Sequence, residues 1–115
     1  MGLNKLIEDN KIIFIDKQIP LINTGILFIY ATWAPYTYKL NILINSINKK
    51  EIKVYVINID NSDILYELLR INNLIDNCKI GGWGEIFWFK SKKLIGTMIK
   101  DFREEKLTQY NELLS

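Results

Sequence analysis

The sequence predicts an α/β domain, a central mixed β-sheet flanked by helices on both faces. Three observations carry that expectation. Short apolar, β-branched runs alternate with segments whose apolar residues recur at helical spacing. One such run, ILFIY at 26–30, is apolar on both alternating faces, the pattern of a central strand covered on both sides. The last two runs are joined by KSKK at 90–93, which reads as a hairpin turn. A chain of 115 residues suffices for one domain with a real core and is too short for two, so residues 1–115 are read as a single domain.

The elements follow in order. Residues 3–8 read as a short helix with Leu3, Leu6 and Ile7 on one side. KIIFID at 11–16 reads as a strand, and Pro20 and NTG at 23–25 punctuate before the central strand. From Pro35 the period changes. Tyr36, Leu40, Leu43, Ile44 and Ile47 fall on one helical face, with Lys39, Asn41, Asn45 and Asn48 elsewhere on the surface. Pro35 suits a first helical turn, where its missing N–H costs nothing. Asn48-Lys49-Lys50 ends this helix, and EIKVYVINID at 51–60 reads as the next strand. Asn61 and Ser62 are good N-cap residues for a helix whose core stripe would be Ile64, Leu68, Ile71 and Ile75. After the glycine-rich KIGGWGE at 79–85, IFWF at 86–89 and KLIGTMI at 93–99 form the hairpin. Asp101 with Glu104 resembles a capping box, and the last helix carries Leu107, Tyr110 and Leu114 on one face. Right-handed crossovers and a final hairpin then give the mixed sheet with helices on both faces.

Composition removes several functions. The apolar share of 49% is that of a globular chain. Fifteen basic and thirteen acidic residues leave a net charge of +2, and the densest basic cluster is only Lys90, Lys92 and Lys93, so no nucleic-acid partner is expected. No apolar run approaches the roughly 20 residues of a membrane span. The opening MGLNKLIEDNKIIFID lacks a signal-peptide pattern, and Leu6 stands where myristoylation favours Ser or Thr. The expected location is the cytoplasm, with no membrane contact. There is no histidine, so the commonest general base and metal ligand are missing. Cys78 is the only cysteine, which excludes an intrachain disulfide and a cysteine-based zinc site. Asp60, Asp63, Glu67, Asp76 and Glu85 are dispersed, while Glu104 and Glu105 suit the first turn of a helix. GGWGE lacks the lysine and helix pattern of a phosphate-binding loop. No metal or cofactor is expected.

Several segments point to one family. GILFIYATWAPYTYK resembles the strand, loop and helix around the redox motif of thioredoxin-like proteins. KVYVINID resembles the family's next strand, GEIFWFKSKKLIGT its hairpin, and the terminal helix fits as well. The resemblance covers residues 10–114 and implies a thioredoxin-like fold. It departs where the family does chemistry. The nucleophilic cysteine of the family falls at Ala34 and the resolving cysteine at Thr37, with Pro35 and Tyr36 between them. The family's buried acid falls at Phe28, and its cis-proline at Gly84, preceded by Trp83. A non-proline cis bond costs about 2.5–4 kcal/mol, so the Trp83–Gly84 bond is expected to be trans. The stretch from Asp60 to Gly84 is longer than the family needs, implying a longer helix or an extra turn near IDNCKI.

Thiol exchange needs a thiolate, which the Thr37 hydroxyl cannot supply. Cys78 reads as a small packed residue rather than a reactive thiol. The family binds extended peptide beside its motif, so the resemblance implies that residues 32–38, 81–85 and the start of the last helix converge. The candidate contact residues are Trp33, Tyr36, Tyr38, Gly82, Trp83 and Glu85. Trp and Tyr are enriched at binding hot spots, and Gly81, Gly82 and Gly84 permit close backbone approach. Plainer readings stand beside these. Trp33 can close the end of the sheet, Trp88 belongs to the core or a sheet face, the glycines can be turn residues, and KSKK can be a solvated turn that blunts a sheet edge. The expected function is a redox-inactive, protein-binding domain with an unidentified protein or peptide partner. Two alternatives stay open: a small cytoplasmic immunity or inhibitor protein that neutralises a toxin, and a weak thiol-dependent oxidoreductase using Cys78.

Overall fold

The side chains of Ile26, Leu27, Phe28 and Ile29 are all fully buried, and the sheet is organised around the strand that carries them. The computed structural model describes residues 12–15, 21–31, 37–47, 52–60, 62–72, 74, 83–98 and 102–114. Five strands are present: β1 (Ile12–Phe14), β2 (Gly25–Tyr30), β3 (Val54–Asn58), β4 (Trp83–Lys90) and β5 (Lys93–Met98). Their spatial order is β1-β3-β2-β4-β5. β3 lies parallel to both β1 and β2, with Val54 opposite Ile12 on one side and Ile26 on the other. β4 runs antiparallel to β2, and β5 antiparallel to β4, so the sheet is mixed. Three helices accompany it: α1 (Thr37–Ser46), α2 (Ser62–Ile71) and α3 (Glu104–Leu113).

Side chains alternate across a strand, and that period of two sorts the core. Ile26 and Phe28 cluster with Val54, Val56, Ile86 and Trp88, together with Leu40, Leu43 and Ile44 of α1 and Leu107 of α3. Leu27 and Ile29 cluster instead with Ile57, Phe87 and Phe89, together with Leu65 and Leu68 of α2. Of the expected helical stripe, Leu40, Leu43, Ile44 and Ile47 are buried, and Tyr36 lies outside the described residues.

Two helices differ from expectation. In α2 the buried positions are Leu65, Leu68 and then Asn72, while Ile64 and Ile71 are half-buried. Ile75 and Asn61 lie outside the described residues, and Ser62 opens the helix. The stripe continues into a polar residue, so a search for apolar periodicity misplaces it. Asn72 is tolerated because its amide is paired: Oδ1 accepts the Ile22 N–H at 3.0 Å and Nδ2 donates to the Leu68 carbonyl at 2.9 Å. In α3 the N-cap is Arg103, with extended backbone and no side-chain cap bond. Glu104 is therefore the first helical residue and not the third position of a capping box. Asp101 lies outside the described residues. Glu104 and Glu105 still occupy the first turn, where the helix dipole favours acid.

The hairpin closes through Ser91 (φ 51°) and Lys92 (φ 67°), both left-handed, the pattern of a two-residue type I′ turn usually filled by Asn and Gly. Contacts outside the hairpin hold it. The Lys92 N–H donates to the Asn23 carbonyl at 2.8 Å, and the Ser91 N–H to Thr24 Oγ1 at 3.3 Å. A register shift between Trp88 and Phe89 sets Gly96 opposite Trp88. A Cβ on Gly96 would stand 2.6 Å from Tyr110 Cε1, so only glycine lets that ring lie against the strand. On the exposed side of α2, Arg70 pairs with Glu67 at 2.7 Å, and this hydrogen bond holds the Glu67 carboxyl below its ordinary range. No helix among the described residues is long and apolar enough to cross a membrane.

Candidate functional site

β2 delivers the chain to Tyr30 and the buried Ala31, and α1 begins at Thr37. Trp33, Ala34, Pro35, Tyr36, Gly81, Gly82 and Cys78 lie outside the described residues. The remaining candidates gather around the first turn of α1 and the start of β4.

Gly84 is the clearest of them. β2 and β4 pair Ile29 with Glu85 and Tyr30 with Trp83, which leaves Gly84 as the extra residue of a β-bulge. Its φ is +93°, a conformation that side-chain-bearing residues rarely adopt. A Cβ there would lie 3.0 Å from Lys39 Cδ and 3.1 Å from Phe28 Cζ. The backbone angle is what favours glycine here, and a Cβ would in addition press on Lys39 and Phe28. No peptide bond among the described residues is cis, so Trp83–Gly84 is trans as expected. Phe28, where the family's acid would fall, is a fully buried core ring.

Tyr38 is 57% exposed. Its ring stands edge-on to Phe102, with centroids 6.1 Å apart and planes at 62°. Lys39 Nζ lies 5.8 Å from the centre of the same Phe102 ring, within cation–π range. Lys39 therefore links the segment before α3 to the Gly84 bulge. In this way the first turn of α1, the bulge of β4 and the approach to α3 meet. Trp83 opens β4 opposite Tyr30.

Glu85, expected at the contact surface, is only 1% exposed. The strand pairing is the reason: the regular register that sets Ile86 opposite Phe28 continues to Glu85 opposite the buried Ile29, so Glu85 belongs to β4 and not to a glycine-rich loop, and the bulge falls only beyond it, at Gly84. Asn41, expected on the surface, is half-buried, and its Oδ1 is the one buried side-chain oxygen among the described residues with no hydrogen-bond partner. Lys39 and Phe102 were not candidates from sequence. Lys39 reads as an ordinary surface cation, and Phe102 is a lone apolar residue beside charged neighbours, with no period to mark it.

Among the described residues no group of three or more His, Cys, Asp or Glu side chains could hold a metal ion. No protein-family model and no curated protein matches the sequence.

Gly84→Ala forces a side chain into the left-handed region against Phe28. It should lower unfolding stability by about 1–3 kcal/mol in urea titration, with Gly84→Asn losing less. An unchanged midpoint for Gly84→Ala would contradict the bulge geometry.

Proposed function

We propose that the chain is a redox-inactive thioredoxin-like domain of the cytoplasm, with helices on both faces of its sheet. It acts by binding a protein or extended peptide where the first turn of α1, the β4 bulge and the approach to α3 meet. The exposed Tyr38, held edge-on to Phe102 beside Lys39 and the Gly84 bulge, is the observation that carries this reading.

Several features support it. Parallel strands on one side of β2, an antiparallel hairpin on the other, and a helix after each of β2, β3 and β5 agree with the order of elements in the resemblance. Two apolar clusters divide by strand alternation, α1 and α3 with one and α2 with the other, as helices on both faces would produce. Ala34 and Thr37 replace the reacting sulfurs, and a bulged glycine replaces the family's proline. An aromatic ring already packed on a neighbour loses little freedom when a partner covers it, which favours contact. The resemblance adds Trp33, Tyr36 and Trp83 as further candidate contact residues. A single cysteine suits a reducing compartment.

Two experiments test the reading. In an insulin-reduction assay with dithiothreitol the protein should give no turnover above background. Turnover that Cys78→Ser abolishes would overturn the redox-inactive half. In a pull-down from the source cells, Tyr36→Ala/Trp83→Ala should lose partners that the wild type retains. A double variant that keeps them all would remove the contact surface.

A further inference from the structure

The two helices that frame the contact surface also meet at their far ends. Ser46 closes α1, and Asn111 lies in the last turn of α3. Asn111 Nδ2 donates to Ser46 Oγ at 2.7 Å and to the Ser46 carbonyl at 3.3 Å. Its Oδ1 accepts the indole N–H of Trp88 at 2.9 Å, and the Ser46 hydroxyl donates to the Leu43 carbonyl at 2.6 Å. At the near ends, Tyr38 and Lys39 touch Phe102. α1 and α3 therefore lie side by side and point the same way, joined by a polar clamp at one end and an aromatic contact at the other. At a rise of about 1.5 Å per residue, the two ends are about 12 Å apart along α1, from Tyr38 to Ser46.

We infer that Asn111 is the positioning residue of the contact surface, setting the separation and register of α1 against α3 and so the placement of Tyr38 on Phe102. This rests on the contact-surface reading above. The two ends are unlike in kind. Hydrogen bonds to a buried amide are directional and fail when a helix slides by one residue rise, whereas an edge-on ring pair tolerates a range of angles and offsets. The indole N–H can only donate, so it fixes which end of the amide faces β4 and leaves the NH₂ for α1. Trp88 lies on the same strand as Gly84, so one amide refers both helices to the strand that carries the bulge.

The test is NMR of the full chain without any partner. Asn111→Leu removes every hydrogen bond that the Asn111 amide makes while keeping its branched shape. Ser46→Ala removes the cross-helix bond to the hydroxyl and the hydroxyl's own bond to the Leu43 carbonyl, keeps the bonds of Asn111 to the Ser46 carbonyl and to Trp88, and is expected to fold even where Asn111→Leu does not. In the folded variants, the NOEs between the Tyr38 and Phe102 rings should weaken or vanish and the Tyr38 ring resonances should shift, more for Asn111→Leu than for Ser46→Ala. Folded variants with reduced stability but unchanged Tyr38–Phe102 NOEs and Tyr38 shifts would reduce Asn111 to a purely structural residue and overturn the inference. If Asn111→Leu does not fold, Ser46→Ala alone decides by the same criterion. The readout needs no partner, so it is independent of whether Tyr36→Ala/Trp83→Ala retains its binding.

Discussion

The indole N–H of Trp88 is buried at the middle of β4 and has to find an acceptor. An unmet buried donor costs about 1–3 kcal/mol, a large share of the stability of a domain this size. Asn111 supplies the acceptor, and much else follows from that pairing. α3 has to lie across the sheet at the height of Trp88. The remaining amide hydrogens then reach Ser46, which draws the end of α1 alongside. Tyr110, one residue before Asn111, comes down on the indole with ring centroids 4.7 Å apart, and Gly96 leaves the room it needs on β5. Four elements are thus arranged around one polar contact inside an apolar cluster.

The other cluster has its counterpart in Asn72. It ties the end of α2 to Ile22, just before β2, and so anchors the entry to the central strand. Each cluster is therefore apolar in bulk but carries one buried asparagine whose amide joins separate parts of the chain. Apolar packing alone specifies roughly which faces meet; a satisfied buried amide specifies how far along and at what angle. The contact surface proposed at the first turn of α1 would inherit that order.

Legibility in the sequence followed the range of the interactions. β2, β4, β5 and the α1 stripe were readable because each repeats a local period over several residues. The α2 stripe was misplaced because its continuation, Asn72, is polar, and its pairing with Ile22 spans fifty positions of chain. The start of α3 was misread because Arg103 caps by backbone conformation alone, with no side-chain signal. At the candidate site, Gly84 stood out as a special glycine. The burial of Glu85 depends on its pairing with Ile29 of β2, and the glycine-rich run around it hides the start of the strand. Lys39, Phe102 and Asn111 are ordinary residues on their own elements, and they acquire a role only from what packs against them.

An aromatic ring fixed by a neighbour but still open to solvent is a poor fit to core packing and a good fit to contact. The molecule offers its own control, since Tyr66 on α2 is as exposed as Tyr38, each at 57%. Placing a photo-crosslinking phenylalanine analogue at position 38 or at position 66 in the source cells tests the account most directly. The account predicts a discrete crosslinked protein from position 38 that is absent from position 66. The same adducts from both positions, or none from position 38, would contradict it.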